Sequence, residues 1–351
     1  MMDIEILSPE RLQHWCRSID LPEPALQALE ALALRVQQEE RLRGMFENFY
    51  RQTVLPGAWH KEWSRLPFDP AVVELLREQT SLFYLLGYLS ALPKTWEKYQ
   101  QFGVGREIFR DTFLDVRYYV CDYHDLHGEW GYAHFPWIWR HFAAEIFRLG
   151  RLQYMRQPFP GGVHALRRRV DGRIVLLADP DQALRGDGHA MGAGLEEGQE
   201  ADEAAGWRPA FEKLPGGWRG HVVAPYGYAS AAVRDFAALE WELALQPGDP
   251  VLDIHIPRSD PLTPDTIIPS LRAAAELFTR LAAQWAPGET PFKAFFCHTW
   301  FFTPQLQQLL PRASALVQFQ RQFYLYPNAG GPGFLWDFVF GERFPERATA
   351  P

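Results

Sequence analysis

The sequence predicts an α+β chain of two domains, a helical one over residues 1–148 and a β-sheet with flanking helices over 149–351. Three observations carry that prediction. Apolar residues recur at spacings of three and four through the first 148 positions. The period changes to two at Arg151-Leu152-Gln153-Tyr154-Met155-Arg156. Finally, the stretch from Val251 to Tyr326 reads strand, loop, helix, strand, helix, strand. A chain of 351 residues can bury two cores, and 13 Trp with 25 Phe predict bulky aromatic ones.

In the first domain Leu26, Leu29, Leu32, Ala33 and Val36 form one stripe. Asp69-Pro70 opens another helix, whose apolar face runs through Val73, Leu76, Leu82, Leu85 and Leu86. Pro93 restarts the chain toward Trp96 and Tyr99, Gly103 and Gly105 break it, and Ile108, Phe109, Phe113, Val116 and Val120 mark a further helix. A last helix is expected from Pro136 to Leu149, with His141 on its face. Cys121, His124, His127, His134 and His141 are all possible metal ligands, but their spacing is irregular. His124 and His127 beside Gly128 read more simply as a helix C-terminus, where imidazoles complement the helix dipole.

No proline- or serine-rich linker separates the halves. Strands are expected at His164–Val170 and Arg173–Asp179, joined by Asp171-Gly172, a strong two-residue hairpin signal. Residues 185–206, rich in Gly and Glu and without an aromatic, predict a mobile loop, with an induced-fit lid as the functional alternative. Trp241–Leu245 reads as a strand, and Gln246-Pro247-Gly248-Asp249 as the turn into the next one.

That next strand, Val251-Leu252-Asp253-Ile254-His255-Ile256, alternates so that Asp253 and His255 share a face. After Pro257 the chain turns, and Thr263-Pro264-Asp265 offers an N-cap, a proline at the first helical position and an acid in the first turn. Pro269 lies deep for that start, so either the helix kinks there or Ser270 is its true cap. Phe292–Phe301 has the composition of a buried strand carrying Phe296, His298 and Trp300 on one face. A short helix follows Thr303-Pro304, and Ala315–Tyr326 is expected as a third strand.

Composition excludes several classes. A net charge of −8 argues against a nucleic-acid partner, and Arg167-Arg168-Arg169 reads as a solvated strand edge. No stretch approaches the ~18 apolar residues of a membrane span, and the first ten residues lack a signal-peptide core, so a cytoplasmic protein is expected. Cys16, Cys121 and Cys297 lie far apart, so neither a disulfide framework nor a structural metal is expected.

At Phe147-Arg148-Leu149-Gly150-Arg151-Leu152-Gln153, Val251–Pro257, Phe296-Cys297-His298-Thr299-Trp300 and Val317-Gln318-Phe319-Gln320-Arg321, the sequence resembles a bacterial acyltransferase-domain family. The resemblance spans nearly the whole chain. It implies a helical N-acyltransferase N-terminal domain packed on a GNAT-like mixed β-sheet domain with flanking helices. It also implies acetyl-CoA or another acyl-CoA as co-substrate, admitted where the strands of Val251–Ile256 and Lys293–Trp300 splay apart, and a small-molecule acceptor. Ile256, Arg258, Ser259 and Thr263 would then contact coenzyme A, since amides at a helix N-terminus bind anions. The sequence departs from the superfamily in lacking its usual small-residue pyrophosphate loop, with Pro257, Pro261 and Pro264 in its place, and in having no tyrosine on the helix Gln305–Leu310.

Acylation of an amine requires a base of near-neutral pKa, and His255 and His298 fit, with Asp253 as a charge partner. The competing reading makes both imidazoles core residues between aromatics. Two other classes compete with the acyltransferase: a GNAT-fold binding module that has lost its cofactor loop, and a metal hydrolase built on His255, His298 and Asp253.

Overall fold

The computed structural model describes residues 4–55, 68–191, 206–285, 288 and 290–328. The chain divides into two compact units: Met1–Met155 with His255–Asp260 and Pro269–Leu277, and Arg156–Ile254 with Pro261–Ile268 and Phe278–Pro351.

The first unit is built from α1 (Pro9–Ser18), α2 (Glu23–Gln38), α3 (Glu40–Phe49), α4 (Pro70–Leu76), α5 (Thr80–Leu89), α6 (Leu92–Gln101), α7 (Arg106–His127) and α8 (Phe135–Phe142). Proline stands in the first turn of α1, α2, α4, α6 and α8. At those positions its fixed φ suits the helix and its missing amide has no intrahelical partner to lose. Asp69 caps α4, its carboxylate accepting from the Ala71 amide at 2.9 Å. The long α7 ends as expected at Gly128, whose φ of 75° lets its amide reach the His124 carbonyl.

One face of α7 is buried through Phe109, Thr112, Phe113, Val116 and Val120, with Asp115 among them. Phe113 meets Phe142 at 5.1 Å and Tyr99 meets Phe147 at 5.2 Å between ring centroids. Such pairs contribute about 0.5–1.5 kcal/mol each beyond the area they bury. The helix expected to reach Leu149 stops at Phe142 instead. Ala144 takes a left-handed φ of 55°, and β1 (Ile146–Leu149) turns into β2 (Leu152–Pro158) with Leu149 opposite Leu152.

In the second unit β3 (Val163–Arg168), β4 (Ile174–Ala178), β5 (Phe211–Leu214), β6 (Gly217–Val223), β7 (Ala229–Ala237) and β8 (Trp241–Leu245) form an antiparallel sheet. Its order is β5-β6-β4-β3-β8, with β7 also on β6. Val163, Ala165, Leu176, Ala178, Leu184, Val223 and Val251 share one core. The expected hairpin is present, but its strands stop at Arg168 and restart at Ile174 with Arg167 opposite Ile174, so the loop is longer than the two-residue Asp171-Gly172 turn expected; Gly172 in it has φ 72°. Of the expected loop 185–206, residues 192–205 lie outside the described residues, and the Arg185 amide bonds the His189 carbonyl at 2.8 Å.

The remaining elements are β9 (Pro250–His255), α9 (Pro264–Trp285), β10 (Ala294–Phe296), α10 (Leu306–Leu309) and α11 (Ala315–Gln320). A second sheet runs β1-β2-β9-β10, and because β9 and β10 are parallel while β1 and β2 are antiparallel it is mixed. The fold is α+β. Two expectations are corrected here. The strand expected over Phe292–Phe301 is only three residues long, and Ala315–Gln320 is helical, not a strand. Val317 and Gln320, three apart, are both buried in α11, and Gln320 Nε2 donates to the Thr303 carbonyl at 2.8 Å. Pro269 lies inside α9, whose start accepts the Thr266 and Ile267 amides on the Thr263 carbonyl, so Ser270 is not the cap.

Candidate functional site

Strand β9 places the two titratable residues as the alternation required. Asp253 is 7% exposed, and His255, the last residue of the strand, is partly buried. They fall in different compact units.

Asp253 lies where a ladder ends. The parallel pairing of β10 with β9 runs Ala294–Val251, Phe295–Leu252 and Phe296–Asp253 and then stops, while β9 continues two residues further. Gln157 Nε2 donates to Asp253 Oδ2 at 2.8 Å. Cys297 is the first residue past the ladder. Burial, reinforced by the Asp253 charge, holds its thiol well above the ordinary value, which leaves it protonated and a poor nucleophile. Burial likewise raises the Tyr326 phenol, with Asp253 adding to the effect. His298 is exposed and lies two residues beyond the end of β10, so it does not share a strand face with Phe296 as expected.

His255 meets the Trp137 ring at 4.6 Å between centroids. The Trp137 indole in turn donates to Asp115 Oδ2 at 3.2 Å, and the same oxygen is 3.4 Å from Nε2 of His141. His141 is fully buried and Asp115 is 5% exposed. Burial alone would push the Asp115 carboxyl up, but His141 and the indole N–H outweigh it and hold it below the usual carboxylate range. Tyr119, one turn along α7, is pushed up to about 12 by burial and by Asp115 and Asp122. The sequence pattern places His141 on the face of the last helix as an ordinary residue, and the structure gives it a carboxylate neighbour. The available signal was Asp115 on the buried stripe of α7, since a carboxylate there needs a partner.

After β9 comes the loop expected to face coenzyme A. Ile256 is partly buried, and Arg258 and Ser259 are exposed. The Arg258 guanidinium is held bidentately by Asp122 at 3.0 Å for both contacts and lies 5.9 Å from the Tyr118 ring centroid. Thr263 is partly buried, its hydroxyl 3.4 Å from that of Thr266. The amides of Arg258, Ser259 and Asp260 take part in no backbone hydrogen bond among the described residues. Pro257, Pro261 and Pro264 therefore bracket three consecutive donors without interrupting them.

Among the described residues no group of three or more His, Cys, Asp and Glu side chains could hold a metal ion. No described helix is long and apolar enough to cross a membrane.

A family model described as a GNAT-like C-terminal domain matches residues 146–351, and one described as an N-acyltransferase N-terminal domain matches residues 10–144. A search of curated proteins gave no match. Among solved structures, the chain is similar to a mutant acyltransferase in complex with octanoyl-CoA, with a TM-score of 0.58 and 17% identity. It is also similar to an acyltransferase in complex with decanoyl-CoA and teicoplanin, with a TM-score of 0.56 and 18% identity. Both alignments cover 94% of this chain and 76% of the other. At such identities the likeness establishes a shared fold.

Proposed function

Because this chain belongs to the family that joins an N-acyltransferase N-terminal domain to a GNAT-like C-terminal domain, we propose that it transfers an acyl group from acyl-coenzyme A to a small amine or hydroxyl acceptor. The observation that carries this reading is the early end of the β9–β10 ladder, with β9 continuing past it to His255. Where two parallel strands part, an extended ligand can lie along the longer one in the manner of an added strand.

His255 is the proposed base. Its imidazole takes the proton from the acceptor as the acceptor nitrogen or oxygen attacks the thioester carbonyl. The new C–N or C–O bond forms, the C–S bond breaks, and the proton passes on to the departing thiolate. Asp253 supplies negative charge on the same strand, and His298, beyond the ladder, is the second imidazole of the set. Ile256, Arg258, Ser259 and Thr263 are proposed to contact coenzyme A, with the three loop amides as donors to its phosphates. The octanoyl-CoA and decanoyl-CoA held by the similar acyltransferases support the donor class, and teicoplanin in one of them supports a small-molecule acceptor.

Thermal unfolding with coenzyme A, acetyl-CoA and octanoyl-CoA tests the proposal. A ligand present at a hundred times its dissociation constant stabilises the fold by about 2.7 kcal/mol, which appears as a rise in Tm. No rise with any of the three at millimolar concentration would transfer the case to the silent binding module.

A further inference from the structure

The loop that follows β9 is held from beneath by a residue to which no role has been given. Arg151, in the β1–β2 turn, is 8% exposed. Its Nη1 donates to the Pro257 carbonyl at 2.9 Å and its Nε to the Asp260 carbonyl. One rigid guanidinium therefore grips both ends of the four-residue segment 257–260. In a planar trans peptide the N–H points away from the carbonyl of the same unit. Drawing the Pro257 carbonyl toward Arg151 accordingly turns the Arg258 amide the opposite way, and that amide has no backbone partner.

Arg148, three residues earlier, is 7% exposed. Its Nε donates to the Gly150 carbonyl at 3.2 Å, while its buried Nη1 has no hydrogen-bond partner. Neither arginine has a carboxylate within ion-pair distance among the described residues. Burial, and secondarily the nearby Arg148 charge, hold the Arg151 guanidinium below its ordinary pKa. The Asp260 charge offsets part of this, but among the described residues no carboxylate pairs directly with either guanidinium, so two buried cations bonded to carbonyls leave positive potential beneath a loop with three open amides. An anion is the complementary ligand.

We propose that Arg151, backed by Arg148, is a positioning residue that presents the 257–260 loop to the phosphates of the acyl donor. The proposal rests on the acyl-coenzyme A reading above. Arg151 does not touch the thioester. It sets the direction of the amides and, with Arg148, the potential around them.

The control is Ser270, which holds the same turn from α9, bonding the Leu149 carbonyl, the Leu152 amide and the Tyr154 hydroxyl. Coenzyme A binding to the wild-type chain is measured first, followed by steady-state kinetics with donor and acceptor varied separately. Arg151→Lys keeps the charge but loses the two-point grip, so KM for the acyl donor should rise about tenfold, and Arg151→Met should raise it about a hundredfold. In both, kcat and the acceptor KM should stay within about threefold of wild type, while Ser270→Ala should lower Tm and leave the donor KM unchanged.

If the wild-type chain fails to bind coenzyme A, the functional reading falls and this inference falls with it. If the wild-type chain binds but Arg151→Lys, folded by circular dichroism, keeps the wild-type donor KM, the inference alone is overturned. The same holds if Arg151→Lys and Ser270→Ala alter Tm and kinetics in parallel, since the role would then be structural.

Discussion

Strands β9 and β10 are parallel neighbours that begin level with each other and end differently. In β9, Leu252 and Ile254 are buried apolar residues that alternate with Asp253 and His255, and the strand runs its expected length. In β10 the aromatic-rich run Phe292–Phe301 predicts a strand of ten residues and only three of them form one. A cap lies three residues past the end of β10. Thr299 Oγ1 accepts from the Phe301 amide at 3.3 Å and starts a 3₁₀ turn at Trp300, so the chain has left the sheet before its apolar run is over. Apolar content tells what can be buried, whereas local side-chain hydrogen bonds compete with the ladder for the backbone.

The strongest way to break this comparison is to treat the two histidines alike. His255 is anchored at the end of a formed strand against Trp137, and His298 is exposed past the end of a short one. Loss of a general base typically costs 10²–10⁴ in rate. His255→Asn is therefore expected to lower kcat by at least about a hundredfold, and His298→Asn, at the second imidazole, which takes no proton in this route, by about tenfold or less. Equal losses in the two variants would make the strand end irrelevant to catalysis and return His298 to the centre of the site.

The next effect concerns stability. Asp115 lies behind both Trp137 and His141, so Asp115→Ala leaves a half-buried indole N–H without its partner and the fully buried His141 without the carboxylate beside it. Stranding a buried polar group costs about 1–3 kcal/mol, and the loss should show in urea denaturation as a lower midpoint at unchanged m-value. The pH dependence has a definite sign. The folded carboxyl lies below its unfolded value, so its contribution is complete above that value and is lost as pH falls toward the folded one. Asp115→Asn should flatten that acid limb, and an unchanged limb would show that other carboxylates set it.

Much of this was legible in the residues. The helix starts at Asp69-Pro70 and Thr263-Pro264, the end at Gly128, the existence though not the loop length of the hairpin around Asp171-Gly172, and the face shared by Asp253 and His255 all follow from local chemistry. Strands β5, β6 and β7 went unseen because they carry little alternation. Most of β7 is exposed on both faces, and Gly217 and Gly220 interrupt β6. Ala315–Tyr326 looked like a strand because Gln318, Gln320 and Gln322 recur at two. Only the carbonyls of Phe301 and Thr303, remote in sequence, reveal that Gln320 is satisfied within a helix. The Asp115–His141 pair likewise joins residues 26 positions apart on α7 and α8, a separation that no local pattern bridges.

The smallest expected effect is at Arg258 and Asp122, and it separates two ways of fixing the end of β9. Their contact is bidentate, but the side chains are 67% and 41% exposed, so water and salt screen most of the attraction. A double-mutant cycle with Arg258→Ala and Asp122→Ala should give a coupling of about 0.5 kcal/mol or less. A small coupling leaves the strand, together with the grip of Arg151, as what holds the loop. It also leaves the Arg258 charge able to exchange Asp122 for a phosphate at little cost. A coupling above about 2 kcal/mol would mean a desolvated, locked pair, and Arg258 would then be a structural tie between α7 and the loop with no charge to spare for a ligand.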